Sequence, residues 1–250
     1  MPAAPHAAPR LTEGTVLTPP KLLVFDLDGT LVDSQVDLTN SVNAMLGHFG
    51  HGPLDVSTIA TYIGDGAPAL VQRALVQAHV LAQRPEAPDN TLLKSALDWF
   101  VDYYRQHKLD FTYVYPGVLE SMSEIRNRHP DLPMAILTNK PVIPSRAICS
   151  HFGFDRFCFQ VYGGNSFPTK KPDPSAFFQL IAEAQELCGK PILPRESWMI
   201  GDSHVDVQTA RAAGACSLGC TFGLSPASLA AASPDKCVDH ASDWPAALGL

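Results

Sequence analysis

The feature that most constrains this chain is a short apolar run that ends in carboxylates, Leu22-Leu23-Val24-Phe25 followed by Asp26-Leu27-Asp28-Gly29-Thr30. Four apolar residues in a row, with no polar alternation, fit a strand covered on both faces, as in a parallel sheet. The polar residues then fall at the strand's carboxyl end. Two more runs have the same form: Met134-Ala135-Ile136-Leu137 before Thr138-Asn139-Lys140, and Trp198-Met199-Ile200 before Gly201-Asp202-Ser203. Helical patterns lie between and after them, over residues 118–128, 143–152, 175–187 and 204–213, and Gly214 is placed to cap the last. Strand and helix alternate, which predicts an α/β fold with a parallel sheet and an active site outside the carboxyl ends of its strands.

The interval from Val36 to Tyr113 breaks this alternation. It offers helical periodicity over 36–49, 67–82 and 91–107 and no clear strand, so it reads as an inserted helical domain. The expected division is a core domain of residues 21–35 and 114–250, a helical cap of residues 36–113, and a flexible N-terminal tail of residues 1–20. The stretch from Ser225 to Pro234 reads as a loop, with a last short helix after Asp243. The first twenty residues are rich in Ala and Pro and lack the basic start and apolar run of a signal peptide, and no segment reaches transmembrane length. A cytoplasmic protein is expected.

Composition narrows the partners. A formal charge of -7 without a dense Lys/Arg run argues against nucleic acid or an anionic membrane surface. A small anionic ester stays open, because local groups and a metal hold it rather than net charge. The six cysteines form no CxxC pair and read as reduced core residues. Nothing in the pattern specifies an oligomeric state.

The three strand ends bring Asp26, Asp28 and Asp202 together as a carboxylate cluster, and hard oxygen donors of this kind suit Mg2+. A divalent ion would offset their repulsion and let one carboxylate stay ionised as a nucleophile toward phosphorus. Asp28 lies two residues after Asp26, so an extended backbone puts both side chains on one side, where Asp28 would act as general acid and base. Chemistry alone does not choose between the two as nucleophile. Thr138 and Asn139 offer a hydroxyl and an amide to phosphoryl oxygens, and Lys171 a compact positive charge. Asp206, four residues after Asp202, would brace Lys171 or a metal-bound water.

The segments 25–34, 137–140, 171–174 and 201–206 resemble, in order, the four motifs of the haloacid dehalogenase superfamily. Tyr62-Ile63-Gly64-Asp65-Gly66-Ala67, Arg73-Ala74-Leu75 and Tyr162-Gly163-Gly164 resemble its phosphoglycolate phosphatase branch, apart from Asn165, where that branch more often has Asp. The resemblance implies a Rossmann-like core with a helical cap, Asp26 as nucleophile and Asp28 as acid and base. It implies magnesium on the Asp26 side chain, the Asp28 main-chain carbonyl and Asp202. Thr138 and Lys171 would bind the phosphoryl group, and the partner would be a small phosphate ester, 2-phosphoglycolate first among them.

Blander readings stand beside these. Gly64-Asp65-Gly66 is either a turn between cap helices or a loop that touches substrate. Arg73 is either a solvated helix residue or the contact for a substrate carboxylate. A dehalogenase needs no acid at Asp28, and a binding protein would be free to lose Asp26 or Lys171. A phosphosugar mutase or a broad sugar and nucleotide phosphatase shares the motifs.

Overall fold

The computed structural model describes residues 19–84 and 86–250. The tail reading of residues 1–20 thus lies almost wholly outside the described residues. Six strands form one sheet: β1 (Leu22–Phe25), β4 (Met134–Leu137), β5 (Gln160–Tyr162), β6 (Ser197–Gly201), β7 (Cys216–Cys220) and β8 (Lys236–Val238), in the order β5-β4-β1-β6-β7-β8. Every neighbouring pair is parallel. This is the expected α/β sheet, with β1 at its centre. Two short strands, β2 (Val32–Asp33) and β3 (Tyr113–Val114), pair antiparallel where the chain leaves the core and returns.

Period-two alternation along β1 divides the core. Leu23 and Phe25 face a cluster with Met134, Ile136, Trp198 and Ile200, closed by α5 (Val118–Arg128), α6 (Val142–Phe152) and α10 (Trp244–Leu248). Leu22 and Val24 face the other side, where α7 (Ser175–Cys188) and α8 (His204–Ala213) pack with Phe177, Leu180 and Ala210. Helices on both faces explain why β1 carries no polar position.

A third apolar cluster belongs to α1 (Gln35–His48), α2 (Val56–Ala60), α3 (Ala67–Leu81) and α4 (Asn90–His107), which follow one another between β2 and β3. Asp89 caps α4 by accepting the Leu92 N–H at 2.7 Å, and Ala96, Phe100 and Tyr104 recur at four-residue spacing on its buried face. Asp37, in the first turn of α1, is buried and accepts the N–H groups of Phe111 and Thr112 at 2.9 and 2.8 Å and the Thr112 hydroxyl at 2.6 Å. One carboxylate therefore clasps the two chain crossings between helical unit and core.

Several elements depart from the sequence reading. β5 and β8 are only three residues long, and β7, Cys-Ser-Leu-Gly-Cys, has none of the β-branched residues that mark a strand. The stretch read as a loop from Ser225 contains α9 (Pro226–Ala232), which buries Leu229 against the sheet at Gly219. Cys216 and Cys220 are free thiols in the sheet core. Among the described residues no helix is long and apolar enough to cross a membrane.

Replacing Asp37 by alanine leaves buried donors without an acceptor. The expected cost is roughly 2–4 kcal/mol of stability, read as a lower urea midpoint at unchanged slope. A loss below about 0.5 kcal/mol would show that the clasp carries no stability.

Candidate active site

The carboxyl ends of β1, β4 and β6 converge on Asp26, Thr138 and Asp202, all buried. Asp26 Oδ1 accepts the Leu27 N–H at 2.7 Å and lies 3.0 Å from Lys171 Nζ. Both donors go to Oδ1, which leaves Oδ2 without a hydrogen-bond donor among the described residues. Lys171 Nζ also donates to Asp206 Oδ1 at 2.6 Å, and its side chain is 1% exposed. Asp206 Oδ2 accepts from the Ser203 N–H and hydroxyl at 3.1 and 2.7 Å, so the residue bracing the lysine also forms the capping box of α8. Asp202 Oδ2 accepts the Leu224 and Ser225 N–H groups at 2.8 and 3.2 Å.

Glycines let the acids come this close. Gly29 has φ +83°, and a Cβ there would lie 2.3 Å from Asp202 Oδ2; a Cβ at Gly201 would lie 2.2 Å from Asp206 Cγ. Any side chain at either position would displace a carboxylate.

Asp26, Asp202 and Asp206 can each bring one oxygen within 4.8 Å of the others. Burial pushes the Asp26 carboxyl up to about 7; Lys171 opposes the shift, and Asp206 adds to it. Burial and the charges of Asp206 and Asp26 likewise hold Asp202 well above the usual carboxylate range. Burial acts to lower Lys171, but the two carboxylates outweigh it and keep the ammonium charged. Three buried acids facing one lysine leave an excess of negative charge, and this all-oxygen donor set fits a hard divalent cation.

The side-chain cluster holds Asp206 where the sequence reading placed Asp28. Asp28 turns toward a different cation: Lys140 Nζ donates to its two oxygens at 2.8 and 3.0 Å, and the Ser34 hydroxyl to Oδ1 at 2.5 Å. Lys140 is buried, and its Nζ lies 4.6 Å from the centre of the Tyr104 ring on α4. Burial favours the neutral amine there, but the Asp28 carboxylate raises Lys140 above the ordinary lysine value. Among the described residues the Tyr104 hydroxyl makes no hydrogen bond of normal geometry, and burial pushes it up to about 12.

Between these strand ends and the helical unit lies a cavity of about 250 Å³, lined by Asp26, Asp28, Thr138 and Lys140 below and by α3 and α4 above. Thr138 is thus placed where the sequence reading put it. Asn139 is not: its amide donates to the carbonyls of Gly64 and Lys171, both at 3.1 Å, and ties the helical unit to the lysine loop instead of facing the cavity. Gly64 and Gly66 line the cavity, which favours the substrate-touching reading of that loop. Arg73 is held by Asp65 at 2.6 Å and is absent from the lining, which contains Arg105 instead. Asn165 lines the wall and accepts the Val142 N–H at 2.8 Å. Sequence reasoning missed Lys140, Tyr104 and Arg105. Lys140 stood in the polar cluster after β4 and was legible there; the two α4 residues carried no signal apart from helical periodicity.

The profile of the haloacid dehalogenase-like hydrolase family matches residues 23–220. A phosphoglycolate phosphatase of Pseudomonas syringae pv. syringae is 37% identical over 206 residues, 82% of this chain and 71% of the relative. One from Chromobacterium violaceum is 38% identical over 208 residues, 83% of this chain and 88% of its own length. The crystal structure described as a predicted phosphoglycolate phosphatase from Haemophilus somnus aligns with TM-score 0.82 at 31% identity, covering 91% of this chain and 97% of its own. The chain belongs to the haloacid dehalogenase-like hydrolases. Within that family these relatives and that crystal structure are described as phosphoglycolate phosphatases, which makes the chain phosphoglycolate phosphatase-like.

The raised acids give a pH signature to the metal-free protein. A carboxyl raised in the folded state adds stability that is present below its unfolded value, 3.8, and lost as pH rises through about 7. The metal-free protein should therefore melt lower at pH 8 than at pH 5.5 from this source, and Mg2+ should raise the melting temperature more at pH 8. An equal Mg2+ increment at both values would remove these acids as the binding site.

Proposed function

We propose that this enzyme is a magnesium-dependent phosphatase that hydrolyses a small phosphomonoester, 2-phosphoglycolate, through a phospho-aspartate on Asp26. The observation that carries the reading is Asp26 itself: a buried carboxylate at the end of the central strand, one oxygen held by Lys171 and Leu27 and the other without a donor among the described residues. In the proposal, Asp26, Asp202 and the Asp28 main-chain carbonyl hold Mg2+, with Asp206 beside them. The bound ion would neutralise the acids and the phosphoryl oxygens. Residues 36–113 act as the cap over a core of residues 21–35 and 114–250, and closing them keeps bulk water from the cavity.

The chain's own groups supply the steps. Thr138 and Lys171 hold the phosphoryl oxygens while Asp26 attacks phosphorus in line. The bond from phosphorus to the ester oxygen breaks as Asp28 gives that oxygen a proton. Asp28 then takes a proton from water, which attacks the phospho-aspartate, and inorganic phosphate leaves with Asp26 restored. Lys171 keeps its charge throughout, balanced by Asp206. Asn139 positions the Lys171 loop and the 64–66 loop and binds no phosphate. Six unpaired cysteines suit a reducing, cytoplasmic setting.

Phosphate release should be tested with Mg2+ and with chelator on 2-phosphoglycolate, sugar phosphates including β-glucose 1-phosphate, and nucleotides. The expectation is Mg2+-dependent release with phosphoglycolate preferred; isomerised sugar without release would make the enzyme a mutase. Asp26→Asn should fold, lose at least about a thousandfold in kcat and carry no phosphoryl adduct in acid-quenched mass spectra. Turnover close to that of the unmutated protein, by an undeamidated variant, rejects Asp26 as nucleophile.

A further inference from the structure

We propose that Lys140 recognises the carboxylate of the substrate and so sets the preference for a short anionic ester, an inference that rests on the phosphatase reading above. Two buried lysines stand near the strand ends, and they serve different acids. Lys171 joins Asp26 to Asp206, on the side proposed for the phosphoryl group. Lys140 lines the cavity, holds both oxygens of Asp28 and meets the Tyr104 ring from the opposite wall. It therefore stands where core and helical unit meet around the part of the substrate that leaves.

The apolar part of the lining is a poor host for a second anion. Leu38, Ile63, Leu70, Phe100 and Ile143 offer no donor, and a carboxylate set against them would lose its hydration without return. Arg105 is the other cation on the lining, but its side chain is 64% exposed and lies 3.3 Å from Asp102, at the rim. Arg73, bound to Asp65, does not reach the lining. Among the described residues only Lys140 combines a buried positive charge with a place beside the proposed acid.

The chemistry of the ester fits that place. Asp28, as proton donor, touches the ester oxygen, and Lys140 Nζ lies within 3.0 Å of both Asp28 oxygens. In 2-phosphoglycolate a single methylene separates the ester oxygen from the carboxylate carbon, which brings the carboxylate into reach of the same ammonium. Two of the three Lys140 N–H groups go to Asp28, and in the proposal the third turns from the Tyr104 side chain to the substrate carboxylate. An ester with a longer spacer would carry its anion past Lys140 onto the apolar wall.

The test compares kcat/KM for 2-phosphoglycolate with that for 2-hydroxyethyl phosphate, in which a hydroxymethyl group replaces the carboxylate, at saturating Mg2+. Lys140→Met and Lys140→Gln, the latter keeping a donor toward Asp28, should each lower the ratio of the two values by roughly 10- to 100-fold. A loss that comes only from Asp28 losing its partner strikes both esters and cancels in the ratio. Arg105→Met should leave the ratio within about threefold of the unmutated protein. An unchanged ratio in the folded Lys140 variants overturns the inference and reduces Lys140 to a positioning residue. A ratio that falls in Arg105→Met overturns it by moving the receptor to the rim. Unmutated protein that cleaves both esters equally overturns it while leaving the phosphatase reading intact, whereas no release from any ester defeats that reading and this inference with it.

Discussion

The structure is organised around one buried run of charge, Asp26 to Lys171 to Asp206. Its members come from the end of β1, the loop before α7 and the first turn of α8, so three distant segments must meet for any of them to be paired. Burying such groups is a poor source of stability, since desolvation offsets much of the attraction. Stability comes from the two apolar clusters on either face of the sheet, which hold the strand ends in place at no cost to the site. Under the proposed function the charges are kept for what they can do to a phosphoryl group.

The same economy governs the attachment of the helical unit. Its apolar cluster is separate from those of the core, and polar groups make several of the ties across. Asp37 clasps the two crossings at one end, and Asn139 joins the carbonyl of Gly64 to that of Lys171 at the other. A junction of directed hydrogen bonds has few defined arrangements, unlike a greasy interface that slides. The loop over the cavity is thereby held in fixed relation to the lysine loop beneath it.

How much of this was legible in the sequence follows from how local each signal is. The central strands β1, β4 and β6 announce themselves, because burial on both faces leaves only apolar residues, and Asp26, Thr138 and Asp202 fall at their ends by counting. The edge strands do not, since β5 and β8 are three residues long and β7 draws its burial from neighbours instead of its own composition. The site divides in the same way. That Asp206 joins the acidic cluster while Asp28 leaves it depends on which lysine each carboxylate meets, a long-range fact. Asn139 misled because an amide at a strand end suits a ligand and a backbone brace equally well.

The division of the two lysines gives the two acids of the Asp-x-Asp segment their separate characters. Asp26 and Asp28 lie two residues apart on one backbone, so identity alone cannot tell nucleophile from acid. Lys171 is locked by a second carboxylate, Asp206, so it cannot withdraw its charge from Asp26 and stays as a fixed counterion. Among the described residues Lys140 meets no second carboxylate; its other neighbour is the face of an aromatic ring. A cation held by one carboxylate and a ring retains charge to offer, and in the inference above it offers it on the cavity side. In the proposed mechanism the residue that exchanges a proton is thus paired with the adaptable lysine, and the nucleophile with the fixed one. The asymmetry lies in the partners, and it supports the roles proposed for Asp26 and Asp28.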